Sequence, residues 1–162
     1  MSKILITGAK GQLGWELAHT LTEHDLILTD REELDVTDPD AVQVAFAQHQ
    51  PQVCINCAAY TAVDKAESEQ EIAYKLNCKS AENLAKAAME ANADFFHIST
   101  DFVFGGDTTE PLQESDATKP ISYYGLSKLE GESAVQRSCP EAIIIRTSWL
   151  YSSHGHNFVK TM

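Results

Sequence analysis

A tyrosine and a lysine four residues apart form the pattern in this sequence that most directly indicates catalysis. Tyr124 and Lys128 stand in the run Tyr-Gly-Leu-Ser-Lys, within a segment, 123–136, that we predict to be helical. Residues i and i+4 share one face of a helix, so both side chains can reach the same cleft. A free tyrosine has a pKa of about 10, and a neighbouring ammonium group favours its phenolate. We therefore expect Tyr124 to donate a proton and Lys128 to lower its pKa.

A glycine-rich turn near the start of the chain has the spacing of a dinucleotide-binding motif. Gly8, Gly11 and Gly14 follow a short aliphatic run and open a segment with helical periodicity. Such glycines allow a tight turn, a close approach of the backbone to a pyrophosphate, and tight packing of helix on strand. The first N–H groups of the helix then face the phosphates. We predict that this turn, with Gln12 and Leu13, binds a dinucleotide.

The residues after the second predicted strand bear on which coenzyme binds. Asp30 lies 22 positions after Gly8, where an acidic residue is expected to bind the ribose hydroxyls. Arg31 follows directly and could instead accommodate a 2′-phosphate. The sequence therefore leaves NADH and NADPH open. Asp35 and Val36, in the next loop, are expected beside the adenine.

Ser99, Thr100 and Asp101 follow the fourth predicted strand. Ligands of open parallel sheets bind at the carboxyl ends of the strands. A hydroxyl group at this place can orient a substrate carbonyl, and we expect Thr100 to turn it towards Tyr124.

These residues need a scaffold of alternating strands and helices. The predicted strands are 4–6, 26–28, 53–56, 95–98 and 142–146, and the predicted helices are 11–21, 39–50, 63–92 and 123–136. Alternation of this kind indicates an α/β fold with a doubly wound parallel sheet, the Rossmann fold. Residues 63–92 are rich in alanine and lack glycine and proline, which favours one extended helix. The turn-rich segment 105–120 is predicted to be a loop over the active site.

The domain organisation predicted from the sequence is one incomplete unit. Residues 1–162 form an NAD(P)-binding domain, and a further helix begins near residue 157 and breaks off. We therefore expect a truncated piece of a longer protein whose C-terminal substrate domain is absent.

Composition and charge limit the classes of binding partner and the cellular compartment that we expect. The net charge is −12 and no basic patch is visible, which argues against nucleic acid. No apolar run reaches the roughly 20 residues that span a membrane, and the start does not read as a signal peptide, so we expect a cytoplasmic protein. Cys54 and Cys57 read as strand positions about 10 Å apart, too far for a disulfide or a shared metal. His154 and His156 read as a loop pair without a metal.

Three further stretches, 56–67, 99–104 and 146–151, carry a family resemblance along with these motifs. The chain resembles the extended short-chain dehydrogenase/reductases and, within them, the dTDP-4-dehydrorhamnose reductase family. The resemblance implies NADPH- or NADH-dependent reduction of the 4-keto group of dTDP-6-deoxy-L-lyxo-4-hexulose to dTDP-L-rhamnose, a nucleotide-sugar partner, and magnesium in some members.

The resemblance also implies residue roles. It implies that the catalytic trio is Thr100, Tyr124 and Lys128. The residues implied to line the coenzyme are Ala58, Ala59, Tyr60 and Thr61, with Tyr124 and Lys128. The sugar is implied to contact Thr100, Asp101 and Trp149, and Asn77 to support a proton relay.

One departure from the family pattern separates neighbouring activities. Phe102 stands where some relatives have a tyrosine, which removes a hydroxyl contact with the sugar. Related dehydratases resemble one another in an Asp-Glu pair at this place, and a phenylalanine cannot do acid–base work, so reduction is favoured over dehydration. A non-catalytic regulatory subunit, an epimerase or another keto-sugar reductase remain alternatives, and a homodimer stays open.

Overall fold

Five short strands form one parallel sheet at the centre of the computed structural model, which describes residues 1–106 and 110–162. The strands are β1 (Lys3–Thr7), β2 (Asp25–Thr29), β3 (Val53–Asn56), β4 (Asp94–Thr100) and β5 (Ile143–Thr147). Each is built on an aliphatic or aromatic run, as strands buried on both faces are. All five predicted strands are confirmed: β1 and β2 are two residues longer than predicted, β4 is three longer, β3 has the predicted bounds, and β5 is shifted by one residue.

Helices connect the strands and cover the sheet. They are α1 (Gln12–Thr20), α2 (Pro39–His49), α3 (Val63–Ala66), α4 (Gln70–Tyr74), a π-helical turn (Lys75–Lys79), α5 (Ser80–Glu90), a 3₁₀ turn (Asp101–Val103), α6 (Tyr123–Ser138) and α7 (Phe158–Thr161). The Asp38 side chain caps α2 by accepting the N–H groups of Asp40 and Ala41, with Pro39 at the first helical position.

The order of the strands places the cleft. The sheet runs β2-β1-β3-β4-β5, so the chain moves outwards from β1 to β2 and then returns to the other side of β1. The register pairs Thr7 with Thr29 on one side and with Asn56 on the other. This reversal is the topological switch point at which open α/β sheets bind ligands, and it confirms the predicted doubly wound sheet.

The two faces of the sheet are covered unequally. One face carries the main core, in which Leu5, Phe95 and Leu84 are almost completely buried beneath α2, α5 and α6. The opposite face packs against α1 and borders an apolar cavity of about 360 Å³. Its lining, which we call the open face, comprises Leu13, Leu17, Leu21, Ile55, Phe96, Ile98, Ile145, Thr147 and Leu150.

The prediction of one extended helix over 63–92 is wrong. The chain leaves the helix after Ala66, and the two glutamates in this interruption have partners elsewhere. Glu67 accepts the main-chain N–H of Tyr123 at 2.7 Å, and Glu69 accepts the hydroxyl of Tyr60 at 2.6 Å. Helical structure resumes at Gln70 and contains the π-helical turn. Helix propensity was outweighed by these tertiary hydrogen bonds.

Three smaller points concern loops and length. The residues after Asn56 are not part of β3, so Cys57, which we had placed in that strand, lies in the connection that follows. Of the loop predicted at 105–120, residues 107–109 lie outside the described residues, and the remainder contains no helix or strand. No helix in the described ranges is long and apolar enough to cross a membrane.

Candidate active site

The carboxyl ends of the strands open onto one large cleft of about 1090 Å³. The predicted site residues that line it are Gly8, Gly11, Gln12, Leu13, Gly14, Asp30, Arg31, Asp35, Val36, Ala58, Ala59, Thr61, Thr100, Asp101, Tyr124, Lys128 and Trp149. Tyr60 and Asn77, which were also assigned roles from the sequence, do not line the cleft. The structure thus brings residues far apart in sequence to one place.

Two glycines of the N-terminal turn are required by geometry. Gly8 has φ +68°, and a Cβ there would lie 2.7 Å from the main-chain nitrogen of Ala58. A Cβ on Gly14 would collide with the carbonyl oxygen of Gly8. Helix α1 begins after Gly11 without a side-chain cap, so its first N–H groups are available to a ligand. The turn therefore has the room and the donors that a pyrophosphate needs.

Asp30 ties the second strand to the glycine turn. Its carboxylate accepts the main-chain N–H of Lys10 at 3.0 Å and that of Arg31 at 2.8 Å. The ammonium group of Lys10 pairs with Glu32 at 2.8 Å and with Glu33 at 3.4 Å. This end of the cleft therefore offers a carboxylate for hydroxyl groups and the guanidinium of Arg31 for a phosphate, while the Lys10 ammonium is already paired.

Thr100, Asp101 and Tyr124 meet at the other end of the cleft. The Thr100 hydroxyl donates to the Asp101 carboxylate at 3.0 Å, and Ser148 donates to the second oxygen of Asp101 at 2.7 Å. The ring of Phe102 packs edge-on against that of Tyr124, with centroids 5.5 Å apart. Burial raises the pKa of Tyr124, and a hydrogen bond with Thr100 acts in the opposite direction.

The expectation that Lys128 lowers the pKa of Tyr124 is wrong. The Lys128 ammonium group donates to the carbonyl oxygen of Ile98 at 2.6 Å, and the side chain is only 2% exposed. Burial dominates the pKa of Tyr124 and raises it. Burial also lowers the pKa of Lys128 itself to about 8.

Asn77 clamps the segment that precedes α3. Its side-chain amide accepts the N–H of Tyr60 at 2.8 Å and donates to the carbonyl oxygen of Tyr60 at 3.1 Å. The same amide donates to the Ser127 hydroxyl at 2.9 Å, and Ser127 donates to the carbonyl oxygen of Tyr124. The relay role assigned to Asn77 stays a prediction, because the contacts of its side chain are structural.

A buried polar network beneath the cleft was missed by the sequence analysis. Asn56 accepts the Thr7 hydroxyl at 2.8 Å and the N–H of Ala58 at 3.1 Å, so its oxygen is identified by its partners. Its nitrogen then donates to Nδ1 of His97 at 3.1 Å. These side chains fix the ends of β1 and β3 relative to the middle of β4. Polar residues at three predicted strand ends were the available signal.

A second missed feature is the segment 150–157, which we call the strap. The Gln12 amide donates to the carbonyl oxygen of Leu150 at 3.1 Å, and the Asn157 amide donates to Gln12 at 2.8 Å. Three further contacts join the strap to this region: Ser152 to Glu16, a ring nitrogen of His154 to the carbonyl oxygen of Lys10 at 3.1 Å, and the ring of His154 to that of Trp15 at 4.9 Å. The strap thus fastens the glycine turn, and no local pattern announces these contacts.

Metal and disulfide chemistry find no support in the described parts of the chain. No group of three histidine, cysteine, aspartate or glutamate side chains there is placed to hold a metal ion. The magnesium that the resemblance implies for some members is therefore unsupported. The four cysteines are free thiols, as predicted.

Comparison with known proteins places this arrangement in a family. The family model described as RmlD substrate binding domain matches residues 2–162. A dTDP-4-dehydrorhamnose reductase from Salmonella typhimurium is 48% identical over 164 residues, covering 98% of this chain and 55% of that protein. The chain therefore spans about half the length of such curated relatives.

Solved structures agree with the fold in detail. A dTDP-4-dehydrorhamnose reductase from Clostridium acetobutylicum superposes with a TM-score of 0.95 at 49% identity, covering 98% of this chain and 57% of that one. One from Bacillus anthracis, in complex with NADP, gives a TM-score of 0.96 at 42% identity, covering 99% and 58%.

Proposed function

Because the chain belongs to the RmlD substrate binding domain family, we propose that it forms the coenzyme-binding part of a nucleotide-sugar reductase. The reaction is the NADPH- or NADH-dependent reduction of the 4-keto group of dTDP-6-deoxy-L-lyxo-4-hexulose, which gives dTDP-L-rhamnose. Relatives named dTDP-4-dehydrorhamnose reductase support this choice of reaction.

The observation that carries the proposal is the meeting of two sets of residues in one cleft. The glycine turn of β1 and α1 lies at one end, and Thr100, Tyr124 and Lys128 lie at the other. A dinucleotide that spans the switch point of the sheet places its nicotinamide near the second set. A binding-only protein has no need of a buried proton donor beside this place.

The residues present fit a dinucleotide. Gly8 and Gly14 allow the tight turn and the close packing of α1, since a Cβ at either would collide with the backbone of Ala58 or of Gly8, and the uncapped start of α1 supplies N–H donors. Asp30 would bind the ribose hydroxyls of NADH, while Arg31 would bind the 2′-phosphate of NADPH. We propose that both coenzymes are accepted; the Bacillus anthracis relative holds NADP.

The chemistry of the reduction follows from three side chains. Reduced nicotinamide supplies the hydride. Tyr124 donates a proton to the carbonyl oxygen, and its hydroxyl is protonated at neutral pH as for any tyrosine. Burial raises its pKa, which makes it a weaker acid before substrate binds. Thr100 orients the carbonyl oxygen towards Tyr124. The Lys128 ammonium group would hold the nicotinamide ribose.

Coenzyme oxidation by the full-length natural protein tests the proposal. With the dTDP-4-keto-6-deoxy-L-sugar supplied, we expect the absorbance of NADPH or NADH to fall only when the sugar is present. Coenzyme binding without consumption would instead indicate a regulatory subunit, and inversion of the sugar without net consumption would indicate an epimerase.

Tyr124→Phe separates catalysis from binding. The substitution removes the proton donor alone, so we expect kcat to fall by roughly 10²- to 10⁴-fold with coenzyme affinity unchanged. Tyr123→Phe is the matched control on the same helix, since Tyr123 does not line the cleft. Full turnover by Tyr124→Phe would exclude Tyr124 as the donor.

A further inference from the structure

Glu132 lies on the same face of α6 as the proposed catalytic pair. Tyr124, Lys128 and Glu132 follow one another at intervals of four residues, so their side chains form one row along the helix. Glu132 is only 5% exposed, although a carboxylate is rarely buried unless it is paired. A reason for burying a charge so close to Lys128 is therefore needed.

The carboxylate of Glu132 is fully engaged by two other strands. Arg146 of β5 donates to both of its oxygens, from Nε at 3.0 Å and from Nη2 at 2.7 Å. Ser99 of β4 donates its hydroxyl to the same carboxylate. A bidentate arginine–carboxylate pair fixes direction as well as distance. Glu132 therefore locks α6 to β4 and β5 at the positions directly before Thr100 and Thr147.

Arg146 extends this cluster to the segment after β4. Its guanidinium lies 4.9 Å from the centroid of the Phe104 ring and donates from Nη1 to the carbonyl oxygen of Glu114 at 3.2 Å. Ser99 and Arg146 are also direct neighbours in the register of β4 and β5. One ion pair thus joins the proposed catalytic helix, the strand of Thr100 and the residues that leave it.

Three other ionisable groups near Lys128 carry no charge at neutral pH. Burial holds the pKa of His97, on β4, well below its usual range, and burial raises the pKa of Cys57, after β3, to about 12. Tyr124, on the same helix, is also neutral because burial raises its pKa. The charge that acts on the Lys128 ammonium therefore comes from Glu132, which favours the ammonium and is itself compensated by Arg146.

We propose that Glu132 and Arg146 are positioning residues of the reductase, which hold Lys128 and Thr100 in register and keep the Lys128 side chain charged. The proposal rests on the reductase function proposed above. It adds an electrostatic task, which an ion pair that only braces the fold would not have. The direction in which removal of Glu132 or Arg146 shifts the titration of Lys128 can therefore be predicted.

The test is the pH profile of kcat/KM, measured on the full-length natural protein with the dTDP-4-keto sugar and NADPH. Glu132→Gln removes the negative charge, so we expect the alkaline limb of the profile to move to lower pH by about half a unit or more. Arg146→Gln leaves Glu132 uncompensated and should move the same limb to higher pH. Glu130→Gln, which removes an equal charge from the same helix beside Tyr74 and Cys78, should leave the limb unchanged.

The two opposite shifts distinguish this task from simple support of the fold. Loss of stability alone would lower the thermal midpoint of both variants and leave the limb in place, and that result would overturn the proposal. A shift of both variants in the same direction would overturn it too. If one variant does not fold, the direction in which the other variant moves the alkaline limb decides whether the proposal holds. An inactive wild-type protein would refute the reductase function instead, and the inference with it.

Discussion

Lys128 carries an ammonium group into a part of the molecule from which water is largely excluded. Its partner there is the carbonyl oxygen of Ile98, a neutral acceptor that compensates only part of the lost hydration. The spacing of Tyr124 and Lys128 correctly predicted that both side chains reach one cleft. The spacing could not predict the acceptor of the Lys128 ammonium group, because that acceptor lies on β4, 30 residues earlier in the chain.

The buried ammonium predicts a specific pH dependence of stability. The folded pKa of Lys128, about 8, lies below its ordinary value of 10.5, so between these values the unfolded chain binds more protons than the folded one. Stability contributed by this residue must therefore rise with pH across that window. Relative to Lys128→Met, we expect the wild-type free energy of unfolding to gain on the order of 3 kcal/mol from pH 8 to 10.5.

Urea denaturation of both proteins at several pH values measures this difference. Below pH 8 the difference should be constant, because Lys128 is protonated in both states. Comparing the two proteins at each pH removes the contributions of the other titrating groups. A difference that falls with rising pH would show that the Lys128 ammonium is stabilised in the folded protein.

Helix α6 and the π-helical turn pack closely against each other at a glycine. Gly131 is buried, and a Cβ at this position would collide with the carbonyl oxygen of Asn77. The close approach lets the Asn77 amide reach both Tyr60 and Ser127. The composition of 63–92 favours a helix but does not indicate these tertiary partners. Neither the interruption nor the π-helical turn could therefore be predicted.

Gly131→Ala should therefore destabilise the protein although alanine favours helices by about 1 kcal/mol. Separation of the two backbones is the dominant effect, and we expect a loss of about 1–3 kcal/mol in the free energy of unfolding. Ser133→Ala is the control, because Ser133 is exposed on the same helix. Urea denaturation measures both variants, and equal stability of Gly131→Ala and wild type would mean that α6 shifts without penalty.

At the scale of the whole molecule, the sheet is sealed on one side and accessible on the other. Short apolar runs predicted the strands, and the glycine turn predicted where the ligand cleft begins. Neither pattern predicted which face would be covered, since a strand buried on both faces and one buried on a single face can share the same short apolar run. Ile145, on the open face, is 42% exposed.

An accessible apolar cavity should bind apolar dyes in the folded state. We expect anilinonaphthalene sulfonate to fluoresce with this chain before any unfolding begins, because contiguous apolar surface of this kind recruits apolar ligands. Ile145→Ser should weaken the signal, whereas Val44→Ser, on the distant exposed side of α2, should not. Fluorescence that develops only on addition of urea would show that the open face does not accept the dye.

The strap also orders events in time. Its hydrogen bonds to the region of the glycine turn join residues 136 to 145 positions apart, among the most distant pairs in the chain. A chain emerges from the ribosome with its N-terminus first, so β1 and the glycine turn are made long before the segment that fastens them. Contacts between residues so far apart in sequence also form late in folding, because the entropy cost of closing a long loop opposes them. The phosphate-binding turn is therefore synthesised well before the segment that secures it, and we expect the turn to reach its final geometry only after Asn157 has bonded to Gln12.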